Sequence, residues 1–157
     1  MSRKKKLIRK IVILDKKFKN ALVQKTINKV MLNGKKSVAE RIVYSAIDLA
    51  GKKLNKEPLE VFQTAINNVA PAVQLKGRRI GGSNYQIPAE VSGDRKIILA
   101  LQWMISAARH RKGMPMNERL ATEIMDAFNN TGGAIKKKEE THRMAEANRA
   151  FAHFARF

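Results

Sequence analysis

Between Val73 and Val91 the chain stops repeating at a helical spacing and alternates, with Val73 and Leu75 on one arm and Tyr85, Ile87, Ala89 and Val91 on the other. Alternation with a period of two is the pattern of a half-buried strand. Gly81-Gly82-Ser83-Asn84 lies between the arms and suits the positive φ angles of a tight hairpin turn. A lone two-stranded ribbon is marginal in water, so the rest of the chain must supply the body that holds it. Lys76, Arg78 and Arg79 stand just before the turn with no acidic residue beside them.

The flanking sequence reads as that body. A first helix is predicted over Phe18 to Leu32, with Leu22, Val23, Ile27, Val30 and Met31 inward, stopping at Asn33-Gly34. Lys25 and Lys29 are four apart and share a face. After the short basic loop Lys35-Lys36, Ser37 and Glu40 form a capping box for a second helix, whose stripe Ala39, Ile42, Val43, Ala46, Ile47 and Ala50 runs to Gly51. Pro58 opens a third helix burying Leu59, Phe62, Ala65, Ile66 and Val69, and Pro71 ends it. Past the ribbon, Ser92 or Asp94 caps a fourth helix carrying Ile97, Ile98, Leu101, Met104, Ile105 and Ala108. Trp103 is expected to pack at the core edge rather than to stack on a base. A fifth helix begins at Pro115 or Asn117, with Leu120, Ile124, Ala127 and Phe128 inward, and ends before Thr131-Gly132-Gly133. The last begins near Ala134, with Lys136, Lys137, Lys138, His142, Arg143 and Arg149 outward; so weakly amphipathic a helix is expected to meet a partner on its polar faces. The expected fold is mainly α: a single domain over residues 1–157, with six helices and a protruding β-hairpin (73–91) between the third and fourth. A basic arm (1–15) precedes this body, and residues 134–157 form a C-terminal helix and tail.

Charge bears most directly on function. The chain has 32 Lys and Arg against 13 Asp and Glu, a formal net charge of +19. Such self-repulsion favours a polyanionic partner. The surplus is uneven: nine basic residues to one acidic in 1–20, four to none in 21–37, and eight to two in 76–113, whereas 38–75 balances at four and four. Balanced stretches suit a scaffold and basic ones a contact surface. Arg3, Lys4, Lys5, Lys6, Arg9 and Lys10 form an N-terminal arm suited to ordering on RNA. At the exit of the fourth helix, Arg109-His110-Arg111-Lys112 puts more cations together than the helix dipole alone explains.

Several chemistries find no support. No run of 18 apolar residues suggests a membrane span. The chain has no cysteine, and His110, His142 and His153 have no metal-ligand spacing. No phosphate-binding Gly-x-x-x-x-Gly-Lys loop is present, and Glu139 and Glu140 are adjacent, so they point apart on a helix. No enzyme, cofactor or metal is expected. The glycines miss the KH spacing, and the ribbon lacks the aromatic pattern of an RRM sheet. A thin basic ribbon on a helical platform fits RNA, whose A-form grooves are read through phosphates, 2′-hydroxyls and shape. The alternative from composition alone is a basic architectural or helix-turn-helix DNA-binding protein.

Three runs then match a known pattern: Gly34-Lys35-Lys36-Ser37-Val38-Ala39-Glu40-Arg41-Ile42-Val43-Tyr44; Arg78-Arg79-Ile80-Gly81-Gly82 with Tyr85-Gln86-Ile87-Pro88; and Thr141-His142-Arg143-Met144-Ala145-Glu146-Ala147-Asn148-Arg149-Ala150-Phe151-Ala152-His153. Together they resemble the bacterial-type ribosomal protein number seven of the small subunit, over nearly the whole chain. Lys16 after Asp15 departs from the family's common proline. The resemblance implies a primary binder of the small-subunit rRNA 3′ major domain that organises head assembly, with the hairpin and last helix bordering the exit site near mRNA and tRNA. The implied partners also include neighbouring head and platform proteins; neither a membrane nor a stable homo-oligomer is expected. It implies a place in the ribosome, in a bacterial cytosol or an organelle interior. Candidate rRNA contacts are the arm residues, Lys25, Lys29, Lys35, Lys36, Lys76, Arg78, Arg79, Arg95, Arg109, Arg111, Lys112 and Arg119. Gly82, Ser83, Asn84, His142, Arg143 and Met144 are the candidates near tRNA and mRNA.

Overall fold

The computed structural model describes residues 14–156. Six helices, α1 (Ala21–Val30), α2 (Lys36–Leu54), α3 (Pro58–Val69), α4 (Gly93–His110), α5 (Met116–Phe128) and α6 (Gly132–Ala147), surround one continuous core. An antiparallel ribbon, β1 (Val73–Ile80) and β2 (Ser83–Glu90), lies between α3 and α4. The mainly α architecture and the place of the hairpin are as the periodicity predicts. A 3-10 segment, Arg149–Arg156, ends the described chain.

α5 sits at the centre, against α2, α3, α4 and α6. Phe62, Ile27, Ile47, Ile66, Leu101, Met104, Leu120 and Ile124 are among the largest fully buried side chains. Each comes from an apolar stripe at helical spacing, which is why the core was legible. Burying a side chain of this size contributes about 1.5–3 kcal/mol, so these residues dominate stability.

Helix ends differ from expectation. α1 is shorter than Phe18 to Leu32 because the buried Asp15 carboxylate holds a turn before it. Asp15 accepts hydrogen bonds from the backbone N–H groups of Lys17, Phe18 and Asn20 at 3.0, 2.7 and 2.7 Å. Asn20 then caps the helix, its Oδ1 taking the Leu22 N–H at 2.7 Å. The capping box does not form: α2 starts at Lys36 with Lys35 as the flanking residue and no side-chain cap. Backbone bonds Lys35 N–H to Leu32 O and Lys36 N–H to Gly34 O already close that loop, leaving Ser37 exposed inside the first turn.

Nor does Gly51 stop α2, which continues to Leu54 before the left-handed Asn55. Gly51 is buried where α2 passes the start of α3; a Cβ there would stand 2.6 Å from Pro58 Cγ. The glycine is needed for close approach rather than for termination. α6 likewise begins at Gly132, two residues earlier than expected, and ends at Ala147. The chain then turns back, and the 3-10 segment packs on β2 with Phe151 against Tyr85, ring centroids 5.2 Å apart.

Candidate nucleic-acid interface

The ribbon turns in two residues, Gly81 and Gly82, with φ of +56° and +91°. Ile80 faces Ser83 across the turn, so Ser83 and Asn84, expected in the loop, are the first residues of β2. A two-residue loop with both φ positive matches the natural twist of paired strands. Gly82, Ser83 and Asn84 are all exposed at this tip.

Register divides the basic cluster. Lys76 pairs with Ile87 and Arg78 with Tyr85, whereas Arg79 pairs with Asn84. Cross-strand partners share a face and neighbours in sequence do not, so Lys76 and Arg78 lie on one face and Arg79 on the other. Ile87 is buried and Tyr85 half-buried on the first face, yet Lys76, Arg78 and Arg79 all remain exposed. The inner half of the ribbon is thus anchored through β2, while β1 carries the cations.

One contact ties the ribbon base to α4, and two more tie α4 to α1, all through candidate residues. Arg95 Nε reaches Gln74 Oε1 at 3.5 Å, joining the start of α4 to β1. Lys25 Nζ lies 3.0 Å from Asp94 Oδ1, joining α1 to the same end of α4. Arg109 Nη2 donates to Val30 O at 3.3 Å, joining the far ends of α4 and α1. Lys25, Lys29 and Ile98 line a groove of about 340 Å³ between these helices. Lys29, Lys35, Lys36, Arg109 and Lys112 are exposed. The arm residues Arg3 to Lys10 lie outside the described residues.

Arg111 and Arg119 also bond internally. Arg111 reaches Glu123 Oε2 through Nε at 3.0 Å and Nη2 at 2.7 Å, and also bonds Asp126. Glu123 is 0% exposed, and its other oxygen accepts the Ala134 N–H at 2.8 Å, capping α6. Burial opposes the Arg111 charge, but the bonds to Glu123 and Asp126 outweigh it and hold the guanidinium above its usual range. Its charge is therefore already matched. Arg119, half-buried, donates from Nε to Met114 O. A carboxylate at position 123, inside the stripe Leu120, Ile124 and Ala127, was the sequence signal for this cluster, and periodicity alone passed over it.

On α6, His142 and Lys138 are not outward as expected. His142 Nε2 accepts the Ala72 N–H at 3.2 Å, fixing the ribbon entry to α6. Burial first, and then the charge of Lys138, lowers its pKa below the ordinary 6.5. Lys138 Nζ donates to Asn68 O at 2.7 Å, while Asn68 Nδ2 donates to the carbonyls of Ala127 and Phe128, both at 3.1 Å. Helices α3, α5 and α6 are thereby joined by polar contacts. Lys136, Lys137 and Arg143 are exposed and Met144 is half-buried. Trp103 packs against the core edge and is half-buried, which leaves part of its indole accessible. Among the described residues no group of three His, Cys, Asp or Glu could hold a metal ion, and no helix is long and apolar enough to cross a membrane.

With this geometry in hand, the chain compares closely with known proteins. Residues 2–149 match the family model described as ribosomal protein S7p/S5e. The chain belongs to that family. It is 54% identical over 157 residues to the small ribosomal subunit protein uS7 of Herpetosiphon aurantiacus, covering 100% of both chains. The uS7 of Dictyoglomus turgidum is 59% identical over 140 residues, 89% of this chain and 90% of that one. That of Chloroflexus aggregans is 58% identical over 142 residues, 90% of each. Membership in the S7p/S5e family gives the chain a structural, non-enzymatic role in the ribosome. The sequence resemblance and the family match agree over nearly the full length.

Proposed function

We propose that this S7p/S5e chain is a primary binder of the 3′ major domain of small-subunit rRNA and nucleates assembly of the subunit head. In this reading it acts as one RNA-binding unit, in the ribosomes of the cytoplasm, beside other head and platform proteins. The observation that carries it is the basic β1 edge: Lys76, Arg78 and Arg79 stay exposed although the ribbon is pinned at its base by Arg95, His142 and the 3-10 segment. A ribbon so anchored presents charge with little loss of conformational entropy on binding. Lys25, Lys29, Lys35, Lys36, Arg109 and Lys112 extend the same surface along α1 and α4. The Gly82, Ser83 and Asn84 tip and the Arg143 face of α6 lie toward exit-site tRNA and mRNA.

The test is the salt dependence of binding to an rRNA 3′-domain fragment. Each phosphate contact removed lowers the log–log slope by roughly 0.7–0.9. Changing Lys35, Lys36, Arg78 and Arg79 together to alanine is expected to reduce the slope by about 3 on that scale; an unchanged slope refutes the surface. Preference for duplex DNA over the fragment at physiological salt ends the reading altogether.

A further inference from the structure

Two cavities meet at Trp103. One, of about 620 Å³, is lined by residues that include Trp103, Ser106, His110, Arg111, Gly133 and Lys137. The other, of about 380 Å³, is lined by residues that include Gln74, Gly77, Gln86, Arg95, Trp103 and Lys137. Both contain Trp103 and Lys137, so they adjoin at these side chains and together follow the seam between α4 and α6 as a trough. Its α4 wall is Arg95, Leu99, Trp103, Ala107 and His110, spaced by three or four and hence on one face. At 1.5 Å per residue that wall is about 22 Å long. The α6 wall, Gly133, Lys137, Thr141 and Met144, has the same spacing and runs the opposite way. The walls converge where a Cβ on Gly133 would lie 3.0 Å from that of Ala107. At the other end Gly77 and Gln86, paired across the ribbon, form the floor. A Cβ on Gly77 would meet nothing within 4 Å, and a glycine inside a strand often marks close approach of another backbone or a ligand.

The chemistry of the trough is selective. Trp103 is half-buried, and among the described residues no ring stacks on it and no protein acceptor takes its indole N–H. Arg95, His110, Arg111 and Lys137 line the walls. Among the described lining residues Glu123 is the one carboxylate, and Arg111 already binds it. The Lys137 pair with Glu140 is about half exposed on each side, and exposed pairs hold weakly, so the ammonium can exchange partners. An aromatic wall edged by cations suits a ligand with a flat ring and flanking phosphates. An acidic peptide supplies the charge without the ring.

We propose that the trough between α4 and α6 binds a single-stranded stretch of RNA, with one base stacked on Trp103 and flanking phosphates held by Lys137 and Arg95. This deepens the rRNA-binding reading, on which it rests, by adding a strand site to the ribbon. Base–aromatic stacking tolerates any base, so the site selects unpaired RNA rather than a sequence.

Trp103 is the only tryptophan in the chain, so its fluorescence reports this trough. The full chain is titrated with a mixed-sequence hexaribonucleotide and, separately, with an abasic hexamer of equal charge; anisotropy of labelled copies reads binding independently. The hexaribonucleotide is expected to quench Trp103 saturably and to bind at least tenfold more tightly than the abasic hexamer. W103L should lose about tenfold for the hexaribonucleotide and nothing for the abasic hexamer, and W103F should keep most of the affinity. Binding without quenching, equal binding of the abasic hexamer, an unaffected W103L, or no hexamer binding at all each overturns the site. A parallel titration with the 3′-domain rRNA fragment separates the two readings. If the fragment binds while the hexamer results are negative, only the strand site falls. If neither RNA binds the wild type, the rRNA reading falls with it.

Discussion

Replacing Glu123 with alanine probes the polar cluster that sets α6 on the core. The carboxylate is 0% exposed and holds Arg111 at 2.7 and 3.0 Å on one oxygen and the Ala134 N–H at 2.8 Å on the other. In E123A the Ala134 donor has no acceptor, which costs about 1–3 kcal/mol for a buried group. The lost charged hydrogen bonds contribute about 1.5–3 kcal/mol more, although Arg111 keeps Asp126 and a side chain 28% exposed. The expected loss is about 3–5 kcal/mol, as for other broken buried pairs, against a total stability of about 5–15 kcal/mol. R111A should cost a similar amount because it strands a side chain that is 1% exposed. In the R111M/E123M double variant no fully buried charge is stranded, since Asp126, which also loses Arg111, is 34% exposed, and mainly the Ala134 cap remains lost, about 1–3 kcal/mol. Urea unfolding followed by Trp103 fluorescence, with linear extrapolation, measures all three. A loss below 1 kcal/mol in E123A, or a double variant whose loss equals the sum of the singles, refutes the buried-pair reasoning. R111M should also leave the salt slope of rRNA binding unchanged, which separates its internal role from phosphate contact.

The His142 pKa is lowered in the fold, so as pH falls below 6.5 the unfolded chain takes up the proton first and stability declines. Between pH 7 and 5 the wild type is expected to lose more stability than H142Q, which keeps an acceptor for the Ala72 N–H; a pH-independent difference between the two refutes this. Gly51→Ala, which helix propensity alone favours by roughly 1 kcal/mol, is expected to destabilise by about 1–3 kcal/mol through overpacking against Pro58, and a stabilised variant in the same unfolding assay contradicts that packing.

The elements of the fold were legible because each segment declares its own period. Stripes such as Ala39, Val43, Ala46, Ile47 and Ala50 need one buried side, and the ribbon's alternation needs a two-faced strand. The Gly81-Gly82 turn was equally local, since positive φ at two successive positions selects glycine. Charge segregation marked the candidate surface for a similar reason: a net +19 cannot be distributed without leaving neutral segments for the core.

What resisted reading were the atoms whose partners lie far along the chain. Gly51 looked like a stop because its neighbour Pro58 belongs to another helix. Arg111 looked like one more cation at a helix exit, and only the packing of α5 beneath α4 and α6 supplied Glu123 and Asp126. His142 and Lys138 looked outward until the ribbon entry and the end of α3 met them.

The sequence by itself determined six helices, one ribbon, its turn and its excess of positive charge, because propensity, periodicity and charge are properties of short segments. Tertiary structure alone decided which cations are matched internally and which remain exposed, that Lys76 and Arg78 share a face without Arg79, and that Trp103 borders a trough. Those outcomes depend on register and on side-chain approach between distant segments, where a shift of one residue reverses a face and a single carboxylate reassigns an arginine.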